Sequence, residues 1–164
     1  MYSKIMVPLD GSQLAECVLP HVEVFIQGCQ VRAVILVRVV EPASPRFFGA
    51  PSATSKVDYE QVLEYTKRIE DERKASAAEY LQVVAGQLKP DGVKIQKEVL
   101  VGSVADCLVD FAESRDVDLI LIATHGRSGV SRWVRGSVAD RILRASNVPV
   151  LMVSAPGIMN ASKG

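Results

Sequence analysis

The stretch that decides the fold is residues 117–129, which read VDLILIATHGRSG. An almost unbroken run of Leu, Ile and Val is followed by a threonine, a histidine and two closely spaced glycines. Apolar runs of this kind are typical of strands that are covered on both faces, as in a parallel sheet. The sequence therefore predicts a buried strand that ends in a glycine-rich turn.

Together with this run, five strands are predicted: Lys4–Leu9, Ala33–Val40, Val93–Val101, Val117–Ala123 and Pro149–Val153. Helical periodicity fills the intervals, at Gln13–Gln27, at Asp58–Leu88, from Val104 to Ala112 and at Val138–Ser146. Ser103 and Asp106 have the spacing of a capping box for the third helix. Because strands and helices alternate throughout, we expect right-handed crossovers and an open α/β sheet with helices on both faces.

Composition excludes several classes of partner. The 164 residues include 19 basic and 19 acidic side chains, so the formal net charge is zero. Without a strong global field we expect no nucleic-acid and no membrane partner, and any anion site must be local. The apolar runs are too short to span a bilayer, and we expect no signal peptide before Asp10. Three cysteines without CxxC spacing indicate reduced, mostly buried thiols of a cytoplasmic protein rather than a zinc site.

Ligands of open α/β sheets bind at the carboxyl ends of the strands, where the strand order reverses. The segments that follow such ends are Asp10-Gly11-Ser12, Glu41–Ser55 and the residues after Thr124. In the last segment, Gly136-Ser137 precedes a predicted helix, whose free N–H groups attract anions. Arginines at positions 127, 132 and 135 add positive charge there. The alternative is a plain loop in which Ser137 caps the helix and Asp140 completes a capping box.

Familiar catalytic and phosphate fingerprints are missing. The chain has no GxxxxGK[ST], and no GxGxxG follows the first strand, so neither a P-loop nor a dinucleotide-binding Rossmann site is indicated. It also lacks the GxSxG of a serine hydrolase elbow.

Four segments in the right order resemble the universal stress protein family: Val7–Ser12, Asp118–Gly129, Gly136–Ala139 and Val148–Val153. The resemblance covers about Ser3 to Ser154. It implies one nucleotide-binding domain over residues 1–155 and a short tail at 156–164. The implied fold is Rossmann-like, similar to that of the adenine nucleotide alpha hydrolases, with a mostly parallel five-stranded sheet in the order 3-2-1-4-5.

Members of this family that bind ATP carry G-x2-G-x9-G-[ST] after the fourth strand. Gly126 and Gly136 match its second and third glycines, with nine residues between them and Ser137 after them. Ala123 stands at the first glycine position, where it costs little if φ is negative but about 1 kcal/mol or more if φ is positive. The resemblance therefore implies that the ligand is ATP, with Mg²⁺.

By position, the resemblance implies nucleotide contacts at Pro8, Leu9, Asp10, Val39, Ile122, Ala123, His125, Gly126, Arg127, Gly129, Gly136, Ser137 and Val138. Asp10 corresponds to a carboxylate that accepts from the ribose hydroxyls or faces the phosphate–metal region. It is the one side chain considered for a metal, and its other interpretation is the N-cap of the helix from Gln13. Val39 corresponds to the residue whose backbone meets the adenine edge, or is simply core.

The resemblance favours an ATP-binding regulator of the stress response. The alternatives are a slow ATPase and a dimeric interaction protein that binds no nucleotide. For hydrolysis, Asp10 and His125 are the candidates to activate water, and the sequence shows no orienting partner for either. A lone histidine in such a loop more often bonds locally, so we expect no catalytic residue and turnover that is slow or absent.

The last predicted strand is short, apolar and at a sheet edge. The resemblance implies that two copies pair this edge antiparallel across a two-fold axis. We therefore expect a homodimer through Val150, Leu151, Met152 and Val153, with Met152 near the axis. The alternative is an edge covered by the tail Pro156–Gly164.

Overall fold

The computed structural model describes residues 2–43, 56–124 and 138–155, with the side chains of 56–59 left out. The strands are β1 (Lys4–Pro8), β2 (Ala33–Val40), β3 (Lys94–Val101), β4 (Leu119–Thr124) and β5 (Val150–Ser154). The helices are α1 (Leu19–Gly28), α2 (Lys56–Gln87), α3 (Val104–Ser114) and α4 (Val138–Ala145), and a short 3-10 helix at Ala15–Val18 precedes α1. Within these ranges, no helix is both long and apolar enough to cross a membrane.

One parallel sheet holds all five strands in the order β3-β2-β1-β4-β5. This confirms the predicted fold class and strand order. β1 lies at the centre, between β2 and β4, so the strand order reverses beside it. The carboxyl ends of β1 and β4 therefore meet at the point where such folds bind ligands.

Each face of the sheet has its own apolar core, because successive strand side chains point to opposite faces. On one face Ile5 and Val7 pack with side chains of α1 and α2, among them Val22 and Leu81. On the other face Met6 packs with α3 and α4, whose contributions include Leu108, Phe111 and Ile142. Continuous Val, Ile and Leu runs in the strands follow from this burial on both sides.

Three local predictions are wrong. The first helix begins with the 3-10 helix at Ala15 rather than at Gln13. The capping box does not form, because Ser103 makes no side-chain cap bond and hydrogen-bonds Asp106 instead. The cysteines are free but not mostly buried, since Cys29 is exposed and the other two are half-buried.

The amino edge of the sheet is fastened by one carboxylate. Asp118, which directly precedes β4, accepts backbone N–H bonds on Oδ2 from Ser3 at 2.9 Å and from Lys4 at 2.7 Å. The Asp118 N–H group also donates to the Lys4 carbonyl at 2.9 Å. Burial raises the pKa of Asp118, but the hydrogen bonds from Ser3 and Lys4 outweigh it and hold the pKa below its usual value. The bonds join segments 115 residues apart and set β1 beside β4.

Replacing Asp118 by alanine leaves these two N–H groups without their acceptor, and we expect a loss of about 1–3 kcal/mol in the free energy of unfolding at pH 7. A lowered folded-state pKa means that the carboxylate stabilises the fold above the unfolded pKa of about 4 and loses this effect as the pH falls through the folded value. Urea denaturation at pH 7 and pH 3 measures both effects. The difference in free energy of unfolding between wild type and Asp118→Ala should be smaller at pH 3 than at pH 7. If the exposed control Asp110→Ala lowered the free energy of unfolding equally, the role of Asp118 as the acceptor would be contradicted.

Candidate functional site

The sheet opens between β1 and β4 at its carboxyl edge. β1 is in register with β2 over five residue pairs, but with β4 over two, Ile5↔Leu119 and Met6↔Ile120. Beyond Met6 and Ile120 the strands β1 and β4 are no longer paired. We call the space between the chain after Pro8 and the end of β4 the β1/β4 crevice.

Pro8 explains why the pairing with β4 stops. Lys4 bonds β4 through its carbonyl, whereas Leu9 donates its N–H to Val37 of β2 at 2.8 Å. Since successive residues of a strand bond to alternate neighbours, the nitrogen of Pro8 faces β4. A proline nitrogen has no hydrogen to donate, so the ladder to β4 ends there while the chain stays attached to β2.

The loop after β1 places one carboxylate at the mouth of the crevice. Asp10 Oδ1 accepts from the Ser12 N–H at 2.8 Å and from the Ser12 hydroxyl at 2.6 Å. The Ser12 hydroxyl oxygen in turn accepts from the Ala15 N–H at 3.1 Å. The N-cap position of the 3-10 helix is Leu14, and the N–H of its first residue, Ala15, bonds Ser12 rather than Asp10, so the N-cap interpretation of Asp10 is wrong.

Asp10 is exposed, and nothing in the described part of the chain donates a hydrogen bond to its Oδ2 atom. One oxygen of the carboxylate thus holds the loop, and the other is available to an external donor. Leu9 is buried in the core beneath α1 and α2, so only its backbone can contribute to the site. Pro8 is also buried.

An apolar shelf flanks the crevice at the ends of β2 and β3. Val39, Leu100 and Val104 are partly buried and pack against the core on the α3/α4 face. Val39 and Leu100 are register partners in neighbouring strands. These three partly buried side chains are apolar, as are most side chains that line small-molecule sites. The structure thus places Val39 at the expected edge, but as part of a group that the sequence did not reveal.

At the end of β4, Ile122 is buried in the α3/α4 core and Ala123 is half-buried. Ala123 is a strand residue, and the described non-glycine residues with positive φ are Asp91 and Asp116. The alanine at the first glycine position of the family motif therefore carries no backbone strain.

The start of α4 returns the chain to the same edge. Val138, its first residue, is exposed. Arg141, one turn later, bridges to Asp106 of α3 at 2.9 Å and so fixes α4 against α3. A hydrogen bond from Ser103 and the charge of Arg141 hold the pKa of Asp106 below its usual value. Six other predicted contacts lie outside the described residues: His125, Gly126, Arg127, Gly129, Gly136 and Ser137.

Sequence reasoning missed a polar group beneath the Asp10 loop. Arg38 of β2 lies under Gly11 and against the ring of Tyr80, a residue of α2. The Tyr80 hydroxyl donates to Glu16 at 3.1 Å. The sequence did contain a sign of this polar group, because Arg38 is the one charged residue in the apolar run Ala33–Val40. Nowhere in the described ranges do three or more His, Cys, Asp or Glu side chains gather as a metal site.

Known proteins with similar sequences share this architecture. The model of the universal stress protein family matches residues 1–154. Universal stress protein MJ0531 of Methanocaldococcus jannaschii is 34% identical over 158 residues, which cover 95% of this chain and 84% of that protein.

Solved structures of the family have the same fold. Protein MJ0577 of the same archaeon superposes with a TM-score of 0.72 at 27% identity, covering 95% of this chain and 98% of that one. A universal stress protein in complex with cAMP gives a TM-score of 0.62 at 19% identity, covering 93% and 97% of the two chains. A family match over nearly the whole chain agrees with the sheet order and with the crevice at its centre. The chain therefore belongs to the universal stress protein family.

Proposed function

We propose that this chain binds ATP with Mg²⁺ in the β1/β4 crevice and acts as a nucleotide-dependent regulator of the stress response, with residues 1–155 as its nucleotide-binding domain. The observation that carries the proposal is the exposed Asp10 carboxylate at the carboxyl end of β1, whose Oδ1 atom accepts both Ser12 bonds and whose Oδ2 atom accepts none from the described residues. The ribose of a nucleotide offers hydroxyl donors to such an acceptor.

The surroundings of Asp10 fit the remaining parts of the ligand. The shelf of Val39, Leu100 and Val104 suits an adenine ring. The family motif at Gly126, Gly136 and Ser137 supplies backbone N–H groups of the kind that bind phosphates. Mg²⁺ would be held by the phosphates. Asp10 is its candidate protein ligand in the alternative arrangement, in which the carboxylate faces the phosphates instead of the ribose, since carboxylate oxygens suit this ion. The cAMP complex of a solved family member supports an adenine nucleotide as the ligand class.

A regulatory role is favoured over fast catalysis. A general base needs a partner that orients it and a position within reach of the attacking water. Asp10 commits one oxygen to its own loop, and the described residues offer it no second titratable group within hydrogen-bond distance. Slow hydrolysis remains the alternative activity.

We place the protein in the cytoplasm. The free cysteines fit this compartment, because its thiols are kept reduced.

The proposal predicts that nucleotide is bound and that Asp10 contributes to binding. Denaturing freshly purified protein should release ATP, and calorimetric titration with Mg²⁺–ATP should give heat. Asp10→Asn removes the charge that strengthens the bond from the ribose, so we expect affinity to fall about tenfold or more. Asp116→Asn, which removes an equal charge at the amino edge of the sheet, should leave affinity unchanged.

If calorimetric titration of a folded sample with Mg²⁺–ATP gives no heat, the proposal is contradicted. An equal loss of affinity in the Asp116→Asn control would contradict it as well. A hydrolysis assay on the same proteins separates regulator from enzyme. Turnover that disappears in His125→Ala while ATP affinity persists would favour the ATPase.

We also propose that β5 joins two copies of the chain. β5 is the last strand of the sheet and pairs on one side with β4. Leu151 and Met152 are 40% and 43% exposed, and as successive strand residues they point to opposite faces. A short apolar edge strand of this kind favours pairing with a second edge strand. If two copies of β5 pair antiparallel about a two-fold axis, each copy provides backbone hydrogen-bond partners for the other.

Met152→Lys tests the dimer, because it would bring two like charges together near the proposed axis. We expect the wild-type protein to sediment as a dimer at micromolar concentration and the variant as a monomer. Val24→Lys is the matched control, since Val24 is an exposed valine on α1, away from β5. A monomeric wild type, or a control that dissociates as readily as Met152→Lys, would contradict the interface.

A further inference from the structure

A polar group lies between β2, α2 and the loop that carries Asp10. Arg38 is on the face of β2 that α1 and α2 cover, two residues beyond Leu36 of the same core. Tyr80 projects from α2 onto this position, and Glu16 belongs to the 3-10 helix that follows the Asp10 loop. All three side chains are half-buried.

Arg38 supports the backbone of Gly11 directly. A Cβ atom built on Gly11 would lie 2.9 Å from Nη2 and 3.0 Å from Cζ of Arg38, which is too close for a real side chain. Gly11 also has a φ of +91°, a conformation that favours glycine. The guanidinium therefore occupies the space that a side chain at position 11 would take, and it lies against the loop that carries Asp10.

Tyr80 holds Arg38 in this place. The Cζ atom of Arg38 lies 5.0 Å from the centroid of the Tyr80 ring, within the range of a cation–π contact. Burial, followed by the hydrogen bond to Glu16, raises the pKa of the Tyr80 hydroxyl. The hydroxyl therefore remains a donor at physiological pH, and its bond to Glu16 anchors the end of the Asp10 loop to α2.

Arg38 is not used as half of an ion pair. In the described ranges no carboxylate lies within 4.0 Å of its guanidinium, whereas six other basic–acidic contacts meet that limit there. Its contacts are instead the ring of Tyr80 and the backbone of Gly11. The guanidinium is flat and carries its charge over the whole plane, so it can contact the Tyr80 ring and the Gly11 backbone at the same time.

We propose that Arg38 is a positioning residue, which supports Gly11 and so directs the Asp10 carboxylate into the β1/β4 crevice, with Tyr80 coupling this support to α2. The inference rests on the proposed function, in which Asp10 contacts the nucleotide. It adds that a residue outside the crevice sets the geometry of binding, and that α2 is linked to the ligand through Tyr80.

The experiment compares Arg38→Met with Arg32→Met, whose arginine lies at the opposite edge of the sheet and bonds the Ser3 hydroxyl. The first readout is the set of amide cross-peaks of Gly11 and Ser12 in the nucleotide-free ¹⁵N-labelled protein. The second is the affinity for Mg²⁺–ATP. In Arg38→Met we expect displaced cross-peaks at both residues and binding about tenfold weaker, a coupling of ordinary size for residues in contact.

Arg32→Met should leave both readouts unchanged, although it too removes a cation. Arg38→Lys keeps the charge but lacks the flat guanidinium, so we expect the Gly11 cross-peak to stay displaced. Full recovery of cross-peaks and affinity in Arg38→Lys would overturn the proposal, because charge alone would then suffice. Gly11 and Ser12 cross-peaks that remain at their wild-type positions in Arg38→Met would overturn it as well.

Tyr80→Phe gives a second test if Arg38→Met does not fold. It keeps the ring beneath Arg38 and removes the bond to Glu16, so we expect a displaced Ser12 cross-peak and affinity about threefold weaker. Unchanged cross-peaks and affinity in Tyr80→Phe would overturn the link to α2. The cross-peaks are measured without nucleotide, so the two proposals can fail separately. If the cross-peaks are displaced in the variants but the wild-type protein binds no Mg²⁺–ATP, Arg38 positions the loop and the proposed function is wrong.

Discussion

The short parallel contact between β1 and β4 is the interaction on which the rest of the molecule depends. Two residue pairs, Ile5↔Leu119 and Met6↔Ile120, join one half of the sheet to the other. Asp118 reinforces this seam at the amino edge by accepting two backbone N–H bonds from the start of β1. At the carboxyl edge, Pro8 has no backbone N–H to donate, and the hydrogen bonding between β1 and β4 ends there. The same pair of strands therefore closes the sheet at one end and opens it at the other.

In the described part of the open end, contacts within the chain hold the loop that carries Asp10. The Asp10 turn is closed by Ser12, and Gly11 rests on Arg38, which in turn rests on Tyr80. A preorganised acceptor loses little conformational entropy on binding, so it contributes more to affinity than a mobile one.

Much of the fold was predictable because each strand is a short apolar run, whose burial is strongly favourable and which can be recognised within a few residues. Five apolar runs predicted the five strands, with ends that differ by at most a few residues from the observed ones. Ion pairs on exposed surfaces were less predictable. Glu70 pairs with Lys74 at helical spacing. The same spacing allows Arg68 to pair with Glu64 or with Glu72, and the structure shows the pair with Glu72. Alternative pairs of this kind differ by a few tenths of a kcal/mol, roughly the stabilisation that one such pair provides.

The sequence by itself determined the parallel α/β architecture, because continuous apolar runs and their alternation with helices require burial on both faces. Four segments of the sequence were enough to indicate the family, which the family model then showed. Tertiary structure decided that Asp10 does not cap the first helix, because its Oδ1 atom accepts the bonds of Ser12 within the loop. It also revealed that Arg38, Tyr80 and Glu16 meet beneath Gly11. These residues are distant in sequence, since Glu16 and Tyr80 are 64 positions apart, and no local pattern encodes their contact. Only the packing of α2 on the sheet brings them together.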